Sequence, residues 1–286
     1  MLIFFESGRL GNQVFQVAFL NTIRGEKERI ILVGFNEFFE TFQRVPFTWN
    51  IPVKKNAFSL LFIKLVSDLL YFVSGIGLIS FIEQRKEPMI DGSIGRGPGS
   101  IRKKGLLSNL TLVRQGYFQG ESFLTMDAVK KIQFKENIRK QADQILLDLP
   151  PNKKRIFIHI RRGDYRNLSI YGVSGVDLPT EYYLTAINMF DLSTTYFIVC
   201  SDEDVELPVE IENIHYKSNH AVNVDLALMA SCDGGILSNS SLSWWGAYLQ
   251  DSGNAIIAPR FWLGYKSKEY YPKGIYVANW HWIECS

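Results

Sequence analysis

Two adjacent arginines close a short apolar run in the segment Ile156-Phe-Ile-His-Ile-Arg-Arg-Gly-Asp-Tyr165. The β-branched and aromatic residues Ile156 to Ile160 predict a buried strand. His159, Arg161 and Arg162 stand at its end, followed by Gly163 and Asp164. A guanidinium cannot shed its charge, so a pair of them is costly to place in a core. They suit a planar, two-pronged grip on a phosphate. In an open α/β sheet the ligand sits beyond the carboxyl ends of the strands, which is where these residues fall. The plainer alternative is an Arg–Asp pair that merely closes a loop.

Two further segments weaken that alternative. Near the amino terminus stands Gly8-Arg-Leu-Gly-Asn-Gln-Val-Phe-Gln16, and near the carboxyl end Ser238-Asn-Ser-Ser-Leu-Ser-Trp-Trp-Gly-Ala247. Gly8, Gly11, Asn12 and Gln13 predict a turn where backbone can approach an anion, just before a helix whose N-terminus favours negative charge. Asn239, Ser240, Ser241 and Ser243 begin another helix, where hydroxyls and N–H groups can hold phosphate or ribose. Taken alone, those serines are equally explained by an ordinary N-cap.

With His159-Ile-Arg-Arg-Gly-Asp-Tyr165, these segments resemble the bacterial α-1,2-fucosyltransferases of glycosyltransferase family 11. Gly116-Tyr-Phe-Gln119 is similar to a fourth segment of that family. The matches run in the family's order from residue 3 to about residue 250. Val14, Val17 and Leu242 depart from the methionine, tyrosine and phenylalanine expected there, and only the lost tyrosine hydroxyl is polar. The resemblance implies a GT-B glycosyltransferase, an α/β protein of two Rossmann-like domains facing a cleft. It implies inverting, metal-independent transfer of L-fucose from GDP-β-L-fucose to the 2-hydroxyl of a terminal galactoside. GDP-fucose would be the donor substrate, a galactose-terminated oligosaccharide the acceptor, and no cofactor is expected. By the same likeness Arg161 contacts the β-phosphate as the principal catalytic residue. His159 orients the donor, and Arg162 braces the motif by pairing with Asp164. A fucosyltransferase of another linkage is the alternative.

Glycosyl transfer from a nucleotide sugar leaves charge on a departing diphosphate, which needs a metal or preorganised cationic and N–H donors. The arginines, the glycine turn and the serines offer the second solution. Asp202-Glu-Asp204 has the Asp-x-Asp pattern of metal-dependent GT-A enzymes. Such triplets are common in acidic loops, and Asp202 could instead brace the nucleotide pocket. The 4 histidines lack the spacing of a zinc site. Guanine's edge calls for a carboxylate accepting from N1–H and the exocyclic amine. Asp233, before the strand leading into the serines, is the first choice, and Asp225 on the preceding helix the second. A base must take the acceptor's proton. Glu6, beside the glycine turn, is the candidate. Asp164 is the alternative, though an arginine neighbour lowers its basicity, and a phosphate oxygen of the donor is a third. Adjacent Trp244 and Trp245 cannot share one helix face, so at least one belongs to the core. A glycoside hydrolase would need two carboxylates flanking the bond, and none stand out. A sugar-binding module would account for 14% aromatic residues but not for the arginines.

These residues need elements to hold them. Strands are predicted at Met1–Phe5, Ile30–Gly34, Ile156–Ile160, Tyr196–Cys200, Gly235–Leu237 and Ala255–Ala258. Helices are predicted at Asn12–Ile23, over residues 126–148, and at Glu181–Met189, Val222–Ser231 and Ser241–Leu249. Strands alternating with helices mean parallel sheets. Residues 91–105, rich in glycine, serine and arginine, predict a loop. The proline-bearing joint Leu149–Arg155 is the expected boundary between an acceptor-side domain, 1–150, and a GDP-fucose-binding domain, 151–286, whose last helix could pack back on the first.

The chain has 286 residues, 47% of them hydrophobic and 21% charged, with 31 lysines and arginines against 29 acids. That balance gives no polyelectrolyte character and argues against a nucleic-acid partner. Sparse cysteines at Cys200, Cys232 and Cys285 and no signal-peptide pattern point to a cytoplasmic protein. Ala57 to Ile82 is almost wholly apolar and long enough to span a bilayer. Gly75 and Gly77 break it, so a buried helix and turn is the preferred expectation. Peripheral contact with the inner membrane face, helped by the basic stretch Arg85–Lys104, is the functional one.

Overall fold

The computed structural model describes residues 1–54, 56–89, 91–206, 211, 214–250 and 254–285. The chain divides into two compact units, Met1–Pro88 with Ile94–Gln133, and Met89–Ser93 with Phe134–Ser286. The division therefore falls earlier than the expected Leu149–Arg155 joint. That joint is a loop inside the second unit.

In the first unit, β1 (Leu2–Phe5) leads to α1 (Leu10–Ile23), β2 (Ile30–Val33), α2 (Asn36–Thr41) and β3 (Thr48–Ile51). Then follow α3 (Ala57–Gly75), β4 (Ile79–Pro88), β5 (Ile94–Lys103), β6 (Leu107–Val113) and the single-turn helix α4 (Met126–Val129). The sheet order is β3-β2-β1-β6-β4-β5. All pairs are parallel except β4 with β5. Helix α1 is buried from Val14 through Asn21 because apolar and small residues line it all round.

Two expectations fail in this unit. The predicted loop at 91–105 is largely β5, an edge strand paired with β4. Its glycines and arginines conceal it, yet charge on an edge strand guards against pairing with other chains. The predicted buried helix is present as α3, but Ser74 is its only buried residue. One face packs on the sheet: Arg114 donates to Ser74 Oγ at 3.0 Å, and the Gln115 N–H donates to the Tyr71 hydroxyl. The opposite face is apolar and exposed.

In the second unit, α5 (Glu136–Leu147) packs against α7 (Val222–Ala230). The helix expected over 126–148 is thus two helices in different units. The sheet strands are β7 (Lys154–Ile160), β10 (Thr195–Ser201), β11 (His215–Lys217), β12 (Gly234–Ile236), β13 (Ala255–Pro259) and β14 (His281–Ile283). A small hairpin of β8 (Ser169–Ile170) and β9 (Val173–Ser174), and the helices α6 (Thr180–Ile187) and α8 (Ser241–Tyr248), complete it. The sheet order β11-β10-β7-β12-β13-β14 is parallel throughout. Taken in chain order this is 3-2-1-4-5-6, the doubly wound nucleotide-binding arrangement. Ile156, Ile158, Phe197, Val199, Ile236 and Ile257 form its core with Tyr182 and Ala186 of α6. Near-continuous apolar strands are what a parallel sheet covered on both faces requires. Among the described residues the last element is β14, at the sheet edge.

Candidate functional site

The second unit's sheet reverses direction at β7 and β12. These strands are neighbours, but the chain leaves β7 towards β10 and leaves β12 towards β13. Diverging loops open a crevice at such a switch point, beyond the carboxyl ends of the strands. The β7 loop carries Arg161 to Tyr165, and the β12 loop carries Ser238 to Ser241. Two bonds tie the loops together. His159 Nδ1 lies 2.6 Å from Ser238 Oγ, and the Tyr165 phenol is hydrogen-bonded to Ser240. Burial pushes the Tyr165 phenol up to about 12.

Arg161 is held from two sides. Its Nη2 lies 2.6 Å from Asp164 Oδ1, and its Nε lies 3.4 Å from Asp202 Oδ2. The other Asp202 oxygen accepts the Arg162 N–H at 3.0 Å. The guanidinium keeps 14% of its side-chain surface exposed, so it is fixed without being sealed off. This corrects the expected pairing. Arg161, not Arg162, binds Asp164, which stands in the 3-10 turn Gly163–Arg166 that follows the strand. Gly163 packs closely there: a Cβ would stand 2.5 Å from Asp202 Oδ2, so a larger residue would push that carboxylate off Arg161.

Asp202 and Asp204 have different partners. Asp202 braces the arginine turn, while Asp204 pairs with Lys217. Between them Glu203 pairs with Arg166. Among the described residues no group of three or more metal-ligating side chains occurs.

Several of the predicted donor-binding residues make contacts within the protein. His159 is buried, and burial, aided by the Arg161 charge, pushes its pKa down to about 3. It is therefore neutral and buried, with its Nδ1 edge engaged by Ser238. Asn239 is fully buried and donates to the Val176 carbonyl at 2.6 Å. Ser243 is fully buried, with its hydroxyl proton placed to go to the carbonyl of Ser238 at 2.9 Å or of Ser240 at 3.0 Å. Ser240 caps α8 by accepting the Leu242 N–H at 3.3 Å, and Ser241 is half-buried at the first helical position. Trp244 and Trp245 are both buried, so neither offers a face to sugar.

Asp233 is displaced from the expected role. It accepts the Arg155 N–H at 2.9 Å, at the amino end of β7 and thus the wrong edge of the sheet for a ligand. Asp225 stands on the right edge. It lies in the first turn of α7, just after β11, and accepts from Ser218 Oγ. Burial raises its carboxyl to about 6.

The first unit builds a different kind of turn at the carboxyl ends of β1 and β6. Gly8 has φ +85°, and a Cβ there would stand 2.3 Å from Asn12 Nδ2. Gly11 and Asn12 already belong to the first turn of α1. Asn12 Oδ1 accepts from Gln119 Nε2 at 2.8 Å. Gln16 donates to the carbonyls of Ser7 at 2.8 Å and Gly116 at 3.0 Å. Buried Gln13 donates to Glu6 Oε2 at 3.0 Å and accepts the Phe38 N–H at 2.9 Å, so it positions Glu6 rather than a donor. Glu6 itself is exposed. The bracing role of Gln16 and Gln119 was not singled out from the sequence, although both lie in segments shared with the family.

The sequence profile of glycosyl transferase family 11 matches residues 99–284, more than half of the chain. This chain belongs to that family. Among curated relatives, the O-antigen biosynthesis glycosyltransferase WbnK of Escherichia coli is 32% identical over 128 residues, 41% of this chain and 42% of that protein. An alpha-1,2-colitosyltransferase of Escherichia coli is 31% identical over 163 residues, 52% of this chain and 55% of that protein. The chain spans about half the length of these relatives. Among solved structures, a glycosyl transferase family 9 protein from Veillonella parvula DSM 2008 aligns with a TM-score of 0.55 at 15% identity, over 99% of this chain and 85% of that one. POFUT1 in complex with GDP-fucose aligns with a TM-score of 0.50 at 12% identity, over 90% and 97%. At such identities the likeness concerns the fold, and it bears out the GT-B-like α/β expectation.

Proposed function

We propose that this glycosyltransferase moves L-fucose from GDP-β-L-fucose to the 2-hydroxyl of a terminal galactoside, with inversion and without a metal. The observation that carries the reading is Arg161, held by Asp164 and Asp202 at the switch point of a doubly wound sheet. A preorganised guanidinium there stabilises charge on a departing diphosphate at no cost of reorganisation. Ser241 and the first N–H groups of α8 add donors beside it, and Arg162 adds charge. Asp225 is the carboxylate we assign to the guanine edge. Glu6 is the base we assign to the acceptor hydroxyl.

A second donor has a specific observation behind it. The alpha-1,2-colitosyltransferase relative shares more of the chain than WbnK does. Colitose is L-fucose without its 3-hydroxyl, so the same phosphate and guanine contacts would serve GDP-colitose. Incubation with GDP-fucose, GDP-colitose and UDP-galactose over a panel of galactosides, in EDTA, tests both. We expect turnover with a GDP-linked deoxysugar and an α-1,2 product by NMR linkage analysis. Preference for UDP-galactose would overturn the donor assignment. Activity lost in EDTA and restored by manganese would overturn metal independence.

A further inference from the structure

Helix α3 exposes a continuous apolar face. Phe58, Leu61, Phe62, Leu65, Leu69, Phe72 and Ile76 recur at helical spacing and are 58–80% exposed. Such a stripe normally faces a core, yet here the opposite face makes the contacts with the sheet. The apolar surface continues past the helix. The Leu106 and Leu107 N–H groups donate to the carbonyls of Gly77 and Leu78 at 2.9 and 2.8 Å, which pins exposed Leu106 and Leu107 beside the helix end. Immediately before them stand exposed Arg102, Lys103 and Lys104. An exposed apolar patch of this extent marks an interaction surface.

With 19 residues, α3 is about 28 Å long and could by length cross a bilayer. Topology forbids it. Strand β3 precedes the helix and β4 follows it, and both belong to one six-stranded sheet. A crossing would put them on opposite sides of a hydrocarbon layer roughly 30 Å thick. The connection Ile76–Leu78 reaches only about 10 Å. The helix can lie in an interface but not through it.

We propose that the outer face of α3, with the Arg102–Lys104 turn, docks this unit flat on an anionic lipid bilayer. The apolar stripe enters the boundary between headgroups and acyl chains, and the cations meet lipid phosphates. Charge chooses lipid over a second copy of the chain. Cations stand at the far end of the helix, and Lys54 precedes it, so an antiparallel helix pair would set like charges against each other. Asp68 is the only acid within the helix. This inference does not depend on which sugar is transferred.

Co-sedimentation of the full chain with phosphatidylglycerol-containing or pure phosphatidylcholine vesicles tests it. The wild type should bind anionic vesicles at least tenfold more tightly than neutral ones, and the preference should shrink in high salt. Leu65→Gln with Leu69→Gln should weaken binding at least tenfold. Both sites are exposed, and an unchanged circular dichroism spectrum and melting temperature will show that the fold is kept. Lys103→Gln with Lys104→Gln should abolish the preference for anionic lipid. Wild type that stays in the supernatant with every vesicle would overturn the proposal, as would leucine variants that bind like wild type. Self-association lost in the leucine variants, without vesicle binding, would make the face a contact between copies and equally overturn it.

Discussion

The glycine turn of the first unit and the arginine turn of the second are built from different materials. In the first unit the loops after β1 and β6 are laced by amides: Gln16 to Ser7 and Gly116, Gln119 to Asn12, Gln115 to Ser7. In the second unit the loop after β7 is laced by charge: Arg161 to Asp164 and Asp202, with Asp202 also on the Arg162 N–H. Neutral amides fix backbone and leave little field. A guanidinium held by carboxylates fixes a charge that an anion can then meet. One turn is thus fixed mainly by amides and the other by an arginine held between carboxylates, on sheets of different strand order.

The contrast can be broken at its charged end first. Arg161→Ala should lower turnover by ~10²–10³, the loss typical of one transition-state donor. Arg161→Lys should recover little of it, since lysine lacks the two-pronged fork. Steady-state kinetics with GDP-fucose checks this, and a lysine variant near wild-type turnover would remove Arg161 from the role. Asp225→Asn comes next. It should raise the donor KM about tenfold, because a charge-assisted hydrogen bond is worth ~1.5–3 kcal/mol. Its folded pKa of about 6 gives the sign of the pH effect. Below that value the carboxyl is protonated, its charge is lost and one of its two acceptors becomes a donor, so wild-type donor KM should rise as pH falls from 7 to 5. In Asp225→Asn the profile should be flat. At the neutral end effects should be structural. Gln119→Ala should cost about 1 kcal/mol of stability through one lost hydrogen bond, read by urea titration, with kcat changed less than twofold. Smallest of all, Asp233→Asn should leave donor KM unchanged, since Asp233 faces the amino edge of the sheet.

The strands and helices around the arginine motif were legible because β7, β10 and β13 are near-continuous apolar runs, as buried parallel strands tend to be. The amino-terminal strand and helix were legible for a similar reason. Strand β5 was not, because its glycines and arginines satisfy an edge position that carries no periodic apolar signal. The burial of α3 could not be read either: composition says that a face is apolar, not whether anything covers it. At the site, sequence order brought the arginine and serine segments to one sheet but could not say which end of a strand Asp233 occupies. Nor could it tell an exposed serine such as Ser241 from one folded back on its own loop, such as Ser243. Which arginine meets Asp164 depends on the direction each side chain leaves the end of β7, which residue order does not state.

The central claim is that Arg161 meets the diphosphate while the rest of the nucleotide is held elsewhere. Calorimetric titration of wild type and Arg161→Ala with GDP and with guanosine separates these contributions most directly. The account predicts at least tenfold weaker GDP binding in the variant, a lost charged contact of ~1.5–3 kcal/mol, with guanosine binding unchanged. Equal GDP affinity in the two proteins would contradict it.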